Sequence, residues 1–191
     1  MDSEESRQSA SWRERRKQQL RDELVQVALK LFTEQGFDTP SVDDIVAGAG
    51  VAKGTFYLYF KTKAEIVQAS LEHLAGELNN RIGVALEKTS GDAREDLSAA
   101  VGAHMAFLQD YPGLADRFLA PDAANPVSPI YERTLRKGML QGCYREVDAE
   151  MAVSALQGML HGLVSKATKN GGSLQDICEL AVDLFGHGVK R

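Results

Sequence analysis

Residues 41–65 read SVDDIVAGAGVAKGTFYLYFKTKAE, and this stretch decides the fold. Ser41 is placed to cap a helix and Asp44 follows three residues later, a capping-box arrangement in which Asp replaces the usual Glu or Gln. Gly48-Ala49-Gly50 ends that helix within about two turns, since glycine adopts the left-handed conformation that closes a helix. A second short helix follows at once. A short helix, a glycine turn and another short helix predict a helix-turn-helix.

The second short helix, over residues 51–60, is predicted to lie in a DNA major groove. At about 100° per residue, Phe56, Phe60 and Ala52 share one apolar face, which anchors this helix to the preceding one. The outward arc offers a cation, a bare backbone and hydroxyl groups, from Lys53, Gly54, Thr55 and Tyr57. Lysine can reach a guanine edge, hydroxyls can bond bases or phosphates, and a glycine lets the backbone approach the duplex closely.

Phosphate contacts are predicted around this helix. Tyr59 lies near the edge of the core and Lys63 begins the next helix, so both can reach the DNA backbone. Ser41 and the amides at its helix start form an anion site, which Asp43 and Asp44 oppose. A basic cluster near the N-terminus either contacts DNA or begins a solvated helix, and the sequence leaves both open. This cluster comprises Arg13, Arg15, Arg16 and Lys17.

Helical periodicity continues through the rest of the chain. Apolar residues recur at three- and four-residue steps from Leu20 to Phe32, and Gly36 stops that helix. A long helix is predicted from Thr62 and is broken at Ser90-Gly91-Asp92. Further helices are predicted over residues 93–110, 130–143, 148–168 and 173–187. No convincing period-2 strand appears, so the prediction is an all-α fold of about nine helices.

The signature residues resemble the DNA-binding domain of the tetracycline-repressor (TetR) family. The resemblance covers about residues 20–67 and rests on the segments 28–37, 41–47 and 50–65. Tyr59 stands where the family often has His, and Ser41 stands where Thr is frequent. The resemblance implies a homodimeric, cytoplasmic transcription regulator, most often a repressor. Such a protein releases a palindromic operator DNA when a small molecule enters its C-terminal domain.

The chain is accordingly divided into three parts. Residues 1–10 are predicted to be a disordered tail, residues 11–63 a helix-turn-helix DNA-binding domain, and residues 64–191 a ligand-binding and dimerisation domain. Within the last part, the proline-rich residues 120–129 are predicted to form a loop.

Large side chains of the middle helices are candidates for an effector pocket. A small-molecule site is usually apolar with a few polar groups, and we expect a neutral or cationic apolar ligand. The candidate lining residues are His104, Phe107, Tyr111, Phe118, Met139, Cys143 and His161. Core packing is the alternative for most of them.

Two glycines four residues apart interrupt an apolar helix near the C-terminus. A glycine in mid-helix is less favourable than alanine by about 1 kcal/mol, so a close helix approach is a reason for its presence. We expect this helix and the last one to pair with their copies in a four-helix dimer interface. The candidate residues are Ala155, Gly158, Met159, Gly162, Ile177, Leu180 and Leu184. Packing within one chain is the alternative.

Other functional classes find little support in the sequence. The two cysteines form no CxxC, the four histidines have no metal-ligand spacing, and no catalytic or phosphate-binding motif is present. No apolar run is long enough for a membrane span, and no signal peptide is recognisable. We therefore expect no cofactor, no metal and no membrane. Two alternatives stay open: a module that sequesters a ligand without reading DNA, and an all-α enzyme that uses His104 or His161.

The net charge of −5 speaks at first against DNA binding, because nucleic-acid-binding proteins are usually basic. The charge is unevenly distributed. Residues 1–63 hold ten basic and ten acidic residues, whereas residues 64–191 hold twelve and seventeen. Residues 51–63 hold three cations and no anion. Charge close to the duplex matters most, so the total predicts weak non-specific binding rather than none.

Overall fold

The computed structural model describes residues 2–119, 125–170 and 172–190, and these residues are helical without any strand. The helices are α1 (Asp2–Gln35), α2 (Val42–Ala49), α3 (Lys53–Tyr57), α4 (Lys63–Leu86), α5 (Ala93–Asp110), α6 (Ala115–Phe118), α7 (Ser128–Leu140), α8 (Ala149–Asn170) and α9 (Leu174–Val189). A 3₁₀ turn, Pro112–Leu114, lies between α5 and α6. The predicted all-α fold is confirmed. None of the described helices has the length and apolar character of a membrane span.

The helix boundaries agree with the sequence in the middle of the chain and differ at the ends. Helix α5 has the predicted bounds, because the Asp92 carboxylate caps it by accepting the amides of Arg94 and Glu95. The sequence predicts a disordered tail over residues 1–10, but helix α1 begins at Asp2. No glycine or proline interrupts the stretch before residue 12, so the helix can extend through it. Helix α7 begins inside the predicted loop, with Pro129 in its first turn, where proline is tolerated. Residues 120–124 of that loop lie outside the described residues.

The chain divides into two compact units, Met1–Leu74 and Ala75–Arg191. This division falls within α4, eleven residues beyond the boundary that the sequence suggests at residue 63. In the first unit, α1 packs on α2 and α2 packs on α3. Its core includes Leu24, Ala28, Phe32, Ile45, Phe56, Phe60 and Ile66.

The second unit is built around α5, which packs against both α7 and α9. Helix α8 packs against α7 and α9 in turn. The core of the second unit includes Val101, Leu108, Leu135, Leu156, Leu160 and Ala181. The end of α7 is fixed to the start of α5, because Lys137 Nζ lies 2.6 Å from Asp96 Oδ2 and the Tyr144 hydroxyl donates to the Ala93 carbonyl.

Candidate DNA-binding site

The start of α2 is fixed by a complete capping box. The Asp44 amide donates to Ser41 Oγ at 3.2 Å, and Asp44 Oδ2 accepts from the Ser41 amide at 2.8 Å and from the Ser41 hydroxyl at 2.6 Å. These hydrogen bonds lower the pKa of Asp44. Helix α2 ends at Gly50, whose φ of 65° is left-handed. The predicted capping box is therefore confirmed, and the hydroxyl of Ser41, a candidate phosphate contact, is engaged within it.

Helix α3 is shorter than the predicted 51–60 and is held from one side. Phe56 is fully buried and Phe60 is 2% exposed, with their ring centroids 5.7 Å apart. The guanidinium of Arg21 lies over the Phe60 ring at 5.1 Å. The placement of Ala52 on this apolar face is wrong. Ala52 is the extended N-cap of α3 and is exposed, since the left-handed turn at Gly50 delays the helix until Lys53.

The outward side of α3 exposes most of the predicted groups. Tyr57 is 50% exposed, Lys53 and Gly54 are exposed, and Thr55 is half-buried. A Cβ at Gly54 would meet no atom within 4 Å, so the backbone there is open. Tyr59 is half-buried. The sequence pattern did not place Leu58 on this outward side, yet Leu58 is 75% exposed beside Tyr57. The break in α3 after Tyr57 turns Leu58 outward, and the sequence pattern did not indicate that break.

Both predicted lysine contacts already have partners in the protein. Lys53 Nζ lies 2.7 Å from Asp43 Oδ1, and this carboxylate raises the pKa of Lys53. Lys63 Nζ donates to the Asp38 carbonyl at 2.7 Å. The sequence spacing did not indicate the pairing of Lys53 with Asp43, because the two residues lie on different helices. On α1, the basic cluster of Arg13, Arg15, Arg16 and Lys17 is exposed.

The candidate effector-pocket residues fall into separate places in the second unit. Phe107 forms an aromatic cluster with Tyr111 and Phe118, at centroid distances of 4.8 and 5.6 Å. His104 is fully buried, with Nδ1 3.1 Å from the hydroxyl of Tyr131. Its Nε2 has no hydrogen-bond partner among the described residues, and burial lowers its pKa to about 3.

Among the other pocket candidates, Cys143 lies apart from this cluster. The Cys143 thiol lies 4.0 Å from Asp92 Oδ2, at the start of α5. At about 1.5 Å per residue along α5, that point is on the order of 22 Å from Phe107. Met139 and His161 are half-buried on α7 and α8. One pocket lined by all seven residues therefore stays a prediction, and within it Cys143 lies at the other end of α5 from the aromatic cluster of Phe107.

Helices α8 and α9 expose an apolar surface. Leu180 is 46% exposed, Leu184 is 53% exposed, and Met151 adds a side chain that is 72% exposed. Ala155 and Gly162 are exposed, while Gly158 and Met159 are half-buried. A groove of about 530 Å³ runs between the two helices, lined by residues that include Met159 and Leu184. Ile177 does not belong to this surface, because it is only 7% exposed and lies in the core.

Metal and disulfide chemistry find no support in the described part of the chain. No group of three His, Cys, Asp or Glu side chains there could hold a metal ion. Cys143 and Cys178 are both free thiols.

Comparison with known proteins gives matches over the N-terminal unit and over the whole fold. Residues 24–70 match the model of the tetR family of bacterial regulatory proteins. Over 53 residues the chain is 43% identical to the uncharacterized HTH-type transcriptional regulator YvdT of Bacillus subtilis (strain 168), which is 28% of this chain and 27% of that protein. The chain spans between about a quarter and just over half of the length of the curated relatives it matches first, at 27%, 57% and 47%.

Two solved structures share the fold at low identity. A protein described as a transcriptional regulator from Saccharomonospora viridis, in complex with choline, has a TM-score of 0.75 and 21% identity, over 91% of this chain and 99% of that one. The transcriptional regulator FadR from Bacillus subtilis, in complex with stearoyl-CoA, has a TM-score of 0.73 and 22% identity, over 87% of this chain and 98% of that one. At these identities the likeness concerns the fold.

Proposed function

We propose that the chain is a TetR-type regulator, which controls transcription by binding operator DNA through α3. The observation that carries the proposal is that α3 has one buried apolar side and one exposed polar side. Phe56 fixes the helix from within, while Tyr57 and the open backbone at Gly54 face outward. Such an arrangement suits a helix that enters the major groove, where exposed polar groups reach base edges and phosphates.

The predicted DNA contacts are Lys53, Gly54, Thr55 and Tyr57 on α3, with Tyr59, Lys63 and Ser41 toward phosphates. Lys53 exchanges its contact with Asp43 for DNA, since solvent screens an ion pair as exposed as this one. Lys63 also keeps the turn before α2 in place through the Asp38 carbonyl. Ser41 acts mainly as the cap that orients α2.

The regulator is proposed to act as a dimer and to release its operator when a small molecule binds the second unit. The apolar surface of α8 and α9 supports pairing with a second copy, because a monomer rarely exposes several large apolar side chains together. The solved structures of similar fold hold choline and stearoyl-CoA. These ligands support a small-molecule effector and are too unlike each other to name its class. The family resemblance favours action as a repressor.

DNA binding is tested by titrating the purified protein against labelled DNA flanking its own gene. Tyr57→Ala is expected to weaken binding by about tenfold or more, since a lost base or phosphate contact costs about 1–3 kcal/mol. Circular dichroism should show an unchanged fold, because the side chain is half exposed.

Leu140→Ala is the control for this experiment. Leu140 is 91% exposed and lies in the second unit, so its variant should bind DNA like the wild type. Equal affinities for wild type and Tyr57→Ala would refute the role of α3. A protein that binds none of the flanking DNA would favour a ligand-sequestering module.

A further inference from the structure

A cluster of charged and aromatic side chains lies between the second half of α4 and the end of α5. Arg81 Nη1 donates to Asp110 Oδ2 at 2.6 Å, and Arg81 Nη2 donates to Glu77 Oε1 at 2.5 Å. The same guanidinium lies 5.4 Å from the centre of the Phe107 ring and 6.0 Å from that of Tyr111. The guanidinium is therefore held by two carboxylates and two aromatic rings, all in the second unit.

The acceptors of this cluster exceed its cation. Glu77 and Asp110 carry two negative charges against the single positive charge of Arg81. The Tyr111 hydroxyl donates to Glu77 Oε2 at 3.1 Å and so keeps its ring beside the carboxylates. Burial raises the pKa of this phenol, so it stays neutral. Without Arg81, the four remaining side chains form a cage with excess negative charge.

Arg81 can be exchanged from this cage. Its side chain is 33% exposed, and those of Glu77 and Asp110 are 30% and 57% exposed, so solvent reaches the cluster. Water competes for both partners of ion pairs at such exposure, which weakens them. The Phe107 ring, in contrast, is fully buried and fixed. The aromatic wall at Phe107 is thus fixed, whereas Arg81 and both carboxylates are in contact with solvent.

We propose that Glu77, Asp110, Phe107 and Tyr111 form a binding site for an organic cation of the quaternary ammonium type, which Arg81 occupies as an internal competitor when no ligand is bound. Aromatic faces attract cations through their quadrupole and are the usual surface for quaternary ammonium groups. The two carboxylates supply the neutralising charge. This inference rests on the proposed function only in taking such a cation to be the effector.

Displacement of Arg81 gives a ligand the differential contact that a conformational switch requires. Arg81 and Glu77 belong to α4, whereas Asp110 is the last residue of α5. A cation in the cage replaces the Arg81–Asp110 tie between these helices by its own contacts. Binding and the release of α4 from the end of α5 are then one event.

The experiment is isothermal titration of the full chain with tetramethylammonium chloride at constant ionic strength. Arg81→Gln is expected to bind the cation about threefold to tenfold more tightly than the wild type, because the internal competitor is gone. Asp110→Asn is expected to bind more weakly than the wild type. The uncharged tert-butanol, similar in size, is expected not to bind either protein.

Two matched comparisons separate the cage from net charge and from unfolding. Arg136→Gln removes the same charge from an exposed ion pair with Glu132 on α7, and it should leave the affinity unchanged. Tyr111→Phe keeps the ring and should bind, whereas Tyr111→Leu removes it and should bind more weakly. Circular dichroism of each variant establishes that it is folded.

The outcomes are distinct from those that test DNA binding. The proposal is overturned if Arg81→Gln binds tetramethylammonium no more tightly than Arg136→Gln, or if Tyr111→Leu binds as well as Tyr111→Phe. Operator binding is measured on the same preparations without the cation. If the wild-type protein binds tetramethylammonium but not the operator, the proposed function is refuted, whereas the proposed cation site is still supported.

Discussion

At the scale of single residues, buried polar groups show what burial does to a side chain that the sequence leaves ambiguous. The pattern allowed His104 to be a pocket residue or a core residue. In the structure its only hydrogen bond among the described residues is with Tyr131, and burial holds its pKa near 3. His104 is therefore neutral at physiological pH, and its unpartnered Nε2 is a polar atom in an apolar core, which is unfavourable by about 1–3 kcal/mol.

The lowered pKa of His104 predicts an acid-sensitive fold. The unfolded chain takes up this proton near pH 6.5, and the folded chain resists it until about pH 3. The full contribution to stability is present above pH 6.5, and stability falls as the pH drops through this window. Urea unfolding between pH 4.5 and 7, above the ordinary pKa values of the carboxyls, should show a slope of up to about 1.4 kcal/mol per pH unit.

His104→Gln is expected to remove most of this slope, whatever its effect on stability at neutral pH. The matched control is His187→Gln, which changes an exposed histidine at the end of α9 and should keep the slope. A slope that survives in His104→Gln and disappears in His187→Gln would contradict the assignment.

At the scale of elements, the helix-turn-helix could be predicted because its signals are local. The cap at Ser41 and the left-handed Gly50 act within one helix and its ends, so sequence spacing suffices to place them. The length of α3 depends on how the chain leaves Gly50, and here the periodicity placed Ala52 inside the helix. Local signals thus give the position of an element better than the residues at which it begins and ends.

The sites of the second unit could not be predicted in the same way, because they depend on contacts between distant residues. Arg81 and Glu77 are an i,i+4 pair that the sequence suggests, but Asp110 lies 29 residues further on. Likewise, no periodicity indicates that Cys143 returns to Asp92 while Phe107 meets Phe118. The residue types were informative, and their grouping required the packing of α5 against its neighbours.

The pairing of α2 with α3 predicts a variant that binds DNA more tightly. Asp43 neutralises Lys53 and places a negative charge beside the proposed phosphate path. Asp43→Asn frees Lys53 and removes that repulsion, so operator affinity should rise severalfold at low salt. The slope of log affinity against log salt should become steeper by about one, as for one additional phosphate contact. Fluorescence anisotropy across a salt series measures both quantities.

Glu87→Gln is the control for charge, because it removes one exposed carboxylate from the second unit. Its affinity and salt slope should match those of the wild type. Weaker binding by Asp43→Asn would mean that Asp43 serves to orient Lys53 more than it repels the phosphate.

At the scale of the whole molecule, the charge distribution predicts that a single copy of α3 binds DNA weakly. The chain carries a net charge of −5, and residues 1–63 have equal numbers of acidic and basic side chains. We therefore expect weak general attraction to DNA, and in the proposed mechanism the affinity comes from two α3 helices held at a fixed separation. The proposed dimer of α8 and α9 is what supplies that separation.

Breaking the dimer should therefore abolish operator binding without unfolding the chain. Leu184→Glu places a charge on the exposed α8–α9 surface, where a second copy would bury it. Sedimentation velocity at low micromolar concentration should show a dimer for the wild type and a monomer for the variant. Operator affinity should fall by about a hundredfold or more, since linked binding is lost. Leu140→Glu changes a leucine that is 91% exposed elsewhere and should stay dimeric. A monomeric wild type that still binds its operator would contradict this mechanism.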